Sequence, residues 1–153
     1  MPSSPRPGGR AILQFVRPTA FRLGAFALER PIGRGGMGEV YAGRHLATGV
    51  PVAIKLLSGG KWGTLGVDLF REEVRAVASL HHPSIVMVLD QGAVTDAEAA
   101  QGRFAAGAPW LAMELCTGGT LLDVRGAMTW PAVRAALLTL LDGLAHAHAR
   151  GVV

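Results

Sequence analysis

Between residues 25 and 57, apolar and polar positions form three short runs, AFALERPI, EVYAGRH and VPVAIKLL. Each is rich in β-branched or aromatic residues and is bounded by turn formers, which predicts three strands. The link LATG at 46–49 is short enough for a hairpin, so the second and third strands should be antiparallel neighbours. Between the first and second lies IGRGGMGEVY (32–41), with four glycines in positions 33–38. A glycine in a regular element costs roughly 0.5–1 kcal/mol relative to alanine. Such a concentration implies a sharp bend or a ligand that must approach the backbone.

From residue 69 the period changes. In LFREEVRAVASLHH (69–82), Leu69, Val74, Val77, Ala78 and Leu80 recur near helical spacing, and Pro83 marks the end. SIVMVLD (84–90) and PWLAMEL (109–115) predict two more strands. The polar, alanine- and glycine-rich VTDAEAAQGRFAAGA between them predicts a long mobile loop. After TGGT (117–120) and a short segment, Thr129 caps a predicted helix from about residue 130 to 150. That helix is apolar nearly all round, as expected of one inside a larger core. The order predicts an α+β fold, a five-stranded antiparallel sheet with one packed helix followed by the beginning of a helical domain. Residues 1–20, opening MPSSPRPGG, predict a flexible extension.

Composition narrows the chemistry. A chain of 153 residues, half of them hydrophobic, can bury a core and should fold. Its single cysteine, Cys116, excludes an internal disulfide. His146 and His148 point to different faces of a helix, and His81 and His82 sit together before a proline, so no metal site is expected. The net charge of +4 is concentrated early, since residues 1–44 carry seven arginines against Glu29 and Glu39. No aromatic-basic interleaving accompanies them, and a solvated basic leader is expected rather than a nucleic-acid face. AILQFV at 11–16 is too short for a secretory signal. No run approaches the ~18 apolar residues that span a bilayer. A cytoplasmic chain without a membrane segment is expected.

A lone GxGxxG is weak, and its best-known reading is a dinucleotide-binding turn that leads straight into a helix. Here the glycines lead into Val40, Tyr41 and another turn, and Lys55 stands near the place where a ribose-binding acid would be required. With the following residues the pattern sharpens. Gly33-x-Gly35-x-x-Gly38-x-Val40 followed by Val52-Ala53-Ile54-Lys55 resembles the glycine-rich loop and lysine strand of protein kinases. The likeness continues through Glu73 before HHPSIV, the Met-Glu-Leu-Cys stretch at 113–116 and LLDGLAHAHARGVV, covering about residues 25–153. The wording GRGGMGEVY is most similar to the bacterial, eukaryote-like (Hanks-type) Ser/Thr kinases.

The resemblance implies a kinase-like N-lobe and hinge over 21–116 and the start of a truncated helical C-lobe over 117–153. It implies ATP as ligand, with Gly33, Arg34, Gly35, Gly36, Met37 and Gly38 forming a hairpin that offers backbone N–H groups to the phosphates. Lys55 would face the α- and β-phosphates and pair with Glu73, although neighbouring Glu72 leaves that partner open. Ile32, Val40 and Ala53 would cover the adenine, with Met113 as gatekeeper. Glu114 and Cys116 would bind the adenine edge through their backbones, and Thr120 would contact the ribose. The family's H-R-D loop, its downstream Asn and its D-F-G are absent from these residues. Mg²⁺ is expected for the family, but its protein ligands are not in this sequence.

Two functions follow as expectations. One is the ATP-binding portion of a kinase that phosphorylates an unidentified protein substrate, not competent in transfer as this fragment. The other is a non-catalytic, pseudokinase-like module that binds nucleotide or a partner.

Overall fold

The computed structural model describes residues 21–36, 38–57, 74 and 76–152. Strands β1 (Phe21–Leu23), β2 (Phe26–Gly35), β3 (Gly38–His45), β4 (Pro51–Leu57), β5 (Val88–Ala93) and β6 (Pro109–Glu114) make one antiparallel sheet. Helices α1 (Asp96–Ala99), α2 (Leu121–Val124) and α3 (Trp130–His148) accompany it among the described residues. The strand order is β1-β2-β3-β4-β6-β5.

The sheet contains the five predicted strands and a sixth, β1, ahead of them. Gly24, at φ +54°, turns β1 back onto β2 in a way other residues rarely can. The strand predicted over 84–90 lies later, at Val88–Ala93. Pro83 and Ser84 form a turn instead, closed by the Ile85 amide on the His82 carbonyl at 3.0 Å. Residues 74 and 76–78 of the helix predicted over 69–82 are helical, and Val74 and Leu80 are buried. Glu73 and Met37 lie outside the described residues.

Residues 94–108 are not the unstructured loop the composition implied. Thr95 and Glu98 form a capping box that opens α1, a pattern legible in TDAE but hidden by its polar surroundings. Glu98 also accepts the Gly24 amide at 2.6 Å, and the Gln101 side chain exchanges two hydrogen bonds of 3.1 Å with the Arg22 backbone. Phe104 stands edge-on to Phe21, with ring centroids 4.8 Å apart. The connection is thereby fastened to the β1–β2 hairpin.

Alternation divides the sheet into two unlike faces. Tyr41, Ile54, Leu56, Trp110 and Ala112 share one face with Phe26 and Leu28, all at most 5% exposed. This outer face is the core, closed by Phe21, Leu23, Val94 and Phe104. The opposite face carries Val40, Ala53, Lys55, Leu111 and Met113.

Helix α3 starts at Trp130, with Thr129 at the N-cap position as expected but without a side-chain capping hydrogen bond, and Pro131 in its first turn. Of its residues only Gly143 is buried, against Ser84 and His82, where an added Cβ would come within 3.2 Å of the Ser84 side chain. Leu137, Leu138, Leu140, Leu141 and Leu144 are exposed. No helix among the described residues is long and apolar enough to cross a membrane.

Candidate functional site

The register assembles the site from strands distant in sequence. In β3 and β4, Val40 lies directly opposite Lys55, which in turn lies opposite Leu111 of β6. The neighbouring row on the same face reads Ala42, Ala53, Met113. Direct cross-strand partners hold their Cβ atoms about 4.5–5.5 Å apart. Val40, Ala53, Lys55 and Met113, chosen from motifs alone, therefore share one face of the sheet. Ala53 is buried, while Val40, Lys55 and Met113 are half-buried. Ile32 is the residue added by an irregularity between Pro31 and Gly33, and it is 41% exposed.

The glycines of the hairpin are not equivalent. Gly38 has φ +145°, and a Cβ there would lie 2.0 Å from the Leu56 carbonyl oxygen and 2.9 Å from the Leu57 Cα. Its close seat against β4 forbids a side chain. A Cβ on Gly33 would make only ordinary contact with Val40, at 3.8 Å. Gly35 and Gly36 have no positive φ, and a Cβ on either would meet none of the described residues within 4 Å. Their bareness answers to no contact among the described residues.

Beyond β6 the chain passes to the exposed Cys116, whose thiol lies 4.0 Å from Glu114 Oε1. The Glu114 amide donates to the Met87 carbonyl at 3.0 Å, so it is not free for a base edge. The Cys116 amide makes no backbone hydrogen bond to the described residues. Thr120 precedes α2, and both its amide and its hydroxyl donate to Asp123 Oδ2 at 2.8 Å. The amide first and the hydroxyl second hold that carboxyl below the usual aspartate range. Among the described residues no group of three or more His, Cys, Asp or Glu could hold a metal ion.

Motif reading passed over Glu39, Tyr41 and Arg103. Glu39 pairs with Arg34 across the hairpin and accepts the Tyr41 hydroxyl. The Arg34–Glu39 partnership is implicit in the hairpin register, whereas nothing local brings Arg103 to the same place.

An antiparallel sheet that carries a glycine hairpin, a lysine on its inner face and a link onward to helices is the N-lobe of a protein-kinase-like fold. A family described as "Protein kinase domain" matches residues 26–153, and the chain belongs to it. Among curated relatives, the serine/threonine-protein kinase Pkn1 of Myxococcus xanthus is 37% identical over 136 residues, covering 86% of this chain and 18% of the relative. The serine/threonine-protein kinase PknL of Mycobacterium tuberculosis is 38% identical over 132 residues, covering 84% of this chain and 30% of the relative. The chain thus spans less than a third of the length of these relatives. Among solved structures, the M. tuberculosis PknI kinase domain superposes with a TM-score of 0.68 at 26% identity, covering 88% of this chain and 51% of that one.

Proposed function

We propose that these residues form the nucleotide-binding part of a Ser/Thr protein kinase, an enzyme that transfers the γ-phosphate of ATP to protein hydroxyls. Residues 21–116 serve as N-lobe and hinge, and 117–153 open the helical lobe. The observation that carries the reading is the contrast within the hairpin. Gly38 is demanded by its contact with β4, while Gly35 and Gly36 stand bare with no described neighbour to require it. A bare, ordinary backbone is what a phosphate chain approaching the N–H groups would need.

On this reading Gly33 to Gly38, with Arg34 and Met37 among them, line the phosphates. Lys55 supplies a positive charge to the α- and β-phosphates from the shared inner face. Glu73 is the expected partner that orients Lys55. Ile32, Val40 and Ala53 cover the adenine on one side, and Met113 closes the back of the pocket. The Cys116 amide, without a backbone partner among the described residues, and the Glu114 carbonyl are suited to the adenine edge, so Glu114 contributes as acceptor and Cys116 as donor. Thr120, oriented by Asp123, would meet the ribose. ATP supplies the phosphoryl group. A magnesium ion accompanying it would find no ligand set among the described residues, and H-R-D and D-F-G do not occur in this sequence. The activity proposed for these residues themselves is therefore binding and orientation of the nucleotide.

Titration of the chain with ATP, alongside Lys55→Met, tests this. A charge-assisted hydrogen bond contributes about 1.5–3 kcal/mol net, so the variant should bind about 10- to 150-fold more weakly. Equal affinity of the two proteins would remove Lys55 from the site.

A further inference from the structure

We propose that Arg103, Tyr41, Glu39 and Arg34 form a strut on the outer face of the sheet that positions the glycine hairpin for phosphate, an inference that rests on the nucleotide reading above. Arg34 and Glu39 are direct cross-strand partners next to the tip, and Arg34 Nε lies 3.1 Å from Glu39 Oε1. The other oxygen of Glu39 accepts the Tyr41 hydroxyl. Tyr41 is only 3% exposed, and the Arg103 guanidinium lies over its ring, 4.8 Å from the centroid. Phe104 stands edge-on to the same ring at 5.7 Å. Contacts thus run without a gap from the β5–β6 connection to the Arg34–Glu39 pair, one step short of the Gly35–Gly38 pair at the tip.

Three features make this a positioning device rather than a surface ion pair. First, the strut avoids the inner face. Glu39 and Tyr41 flank Val40 in β3, and it is Val40 that faces Lys55. The side chains that brace the hairpin therefore leave the phosphate side bare. Second, an exposed pair gains little alone, because two long side chains must be ordered and water screens the charges. Glu39 is already held by Tyr41, and Tyr41 by its burial beneath Arg103 and Phe104, so less freedom is lost when Arg34 closes on it. Burial first and the Glu39 bond second raise the Tyr41 hydroxyl above the usual phenol range, with Arg103 opposing them. Third, Gly35 and Gly36 make no side-chain contacts of their own that could fix the tip. For these two glycines, side-chain support has to come from residues beside them.

Arg34 belongs to the phosphate-lining hairpin through its backbone only, and its side chain, paired with Glu39, joins Tyr41 and Arg103 on the other face, so all four side chains are positioning groups, and the test exploits that. ATP and adenosine are titrated against the full chain and against Arg34→Ala, Glu39→Ala and Arg103→Ala. ATP affinity should fall about 2- to 5-fold in each variant, the range an exposed pair supports. Adenosine, which has no phosphates beneath the hairpin, should bind as before, and Arg34→Lys should restore most of the loss. Unchanged ATP affinity, or equal weakening of ATP and adenosine, would overturn the strut. Lys55→Met separates the two proposals, because its failure to weaken ATP sinks the nucleotide site whatever the strut variants do. Should the unmodified chain bind neither ligand, hydrogen exchange at the amides of residues 34–40 decides. Faster exchange there in Arg103→Ala, with β5 and β6 unchanged, supports the strut, and no change overturns it.

Discussion

Alanine at Gly38 and alanine at Gly35 are chemically the same change at two residues paired across one hairpin tip, yet opposite outcomes are expected. At Gly38 the new Cβ would sit 2.0 Å from the Leu56 carbonyl oxygen and 2.9 Å from the Leu57 Cα, both backbone atoms of β4. No side-chain rotation relieves such a contact, so β3 and β4 must separate where Gly38 pairs with Leu57. Overpacking of this kind costs about 1–3 kcal/mol. The backbone adds a second charge, since φ +145° is rarely adopted by residues with a Cβ and costs on the order of 1–3 kcal/mol. Gly38→Ala should therefore lose about 2–6 kcal/mol, a drop in unfolding temperature of roughly 4–24 °C at about 2–4 °C per kcal/mol. Gly35→Ala meets nothing described within 4 Å at an ordinary φ. Reduced freedom of the unfolded chain should leave it neutral or more stable by about 0.4–1 kcal/mol. Urea unfolding of both variants beside ATP titration of Gly35→Ala and Gly36→Ala provides the assay. Equal stability of the Gly38 and Gly35 variants would refute the steric reasoning. Undiminished ATP affinity in Gly35→Ala and Gly36→Ala would remove the reason offered for their bareness.

Glu98→Ala removes the acceptor shared by the Thr95 and Gly24 amides and should cost about 1–2 kcal/mol in urea unfolding. A loss below about 0.5 kcal/mol, the scatter of ordinary surface changes, would show that α1 does not fasten the β1–β2 hairpin. For Glu98 itself, partial burial opposes ionisation, but the Thr95 and Gly24 amides outweigh it and hold the carboxyl below its usual 4.5. Its contribution is thus complete above about pH 4.5 and disappears as pH falls through the lower folded value, a dependence that Glu98→Gln should flatten. His146 titrates in a higher window. Burial first, then Arg150 and His82, hold its imidazole below the usual 6.5, and its Nε2 is buried without a partner among the described residues. The unfolded chain takes up that proton more readily, so stability should decline as pH drops below about 6.5. His146→Phe should decline less between pH 7 and pH 5, and identical profiles would exclude His146 as the cause.

The legible parts of the fold were those written in local pattern. Period-two alternation and turn residues located β3, β4 and β6 to within a residue and β2 to within three at its glycine-rich end, and the Gly33–Val40 and Val52–Lys55 motifs pointed to the side chains that β3 and β4 place on one face. Where a tertiary partner competed with pattern, the reading slipped. SIVM looked like a strand, but His82 captured the Ser84 and Ile85 amides and delayed β5 to Val88. VTDAEAAQGRFAAGA looked unattached because its partners, Arg22, Gly24 and Phe21, lie more than seventy residues away. Alanine-rich loops advertise no such contacts in their own composition.

By itself, the sequence determined the order of the elements other than β1 and α1, the glycine hairpin and membership of the kinase family, because backbone sterics and side-chain periodicity act over a few residues at a time. Tertiary structure alone decided which hairpin glycine the chain itself requires, and which charged groups meet behind it. Those outcomes depend on distances between β3, β4 and the β5–β6 connection, and close packing sets such distances only once every strand has its neighbour.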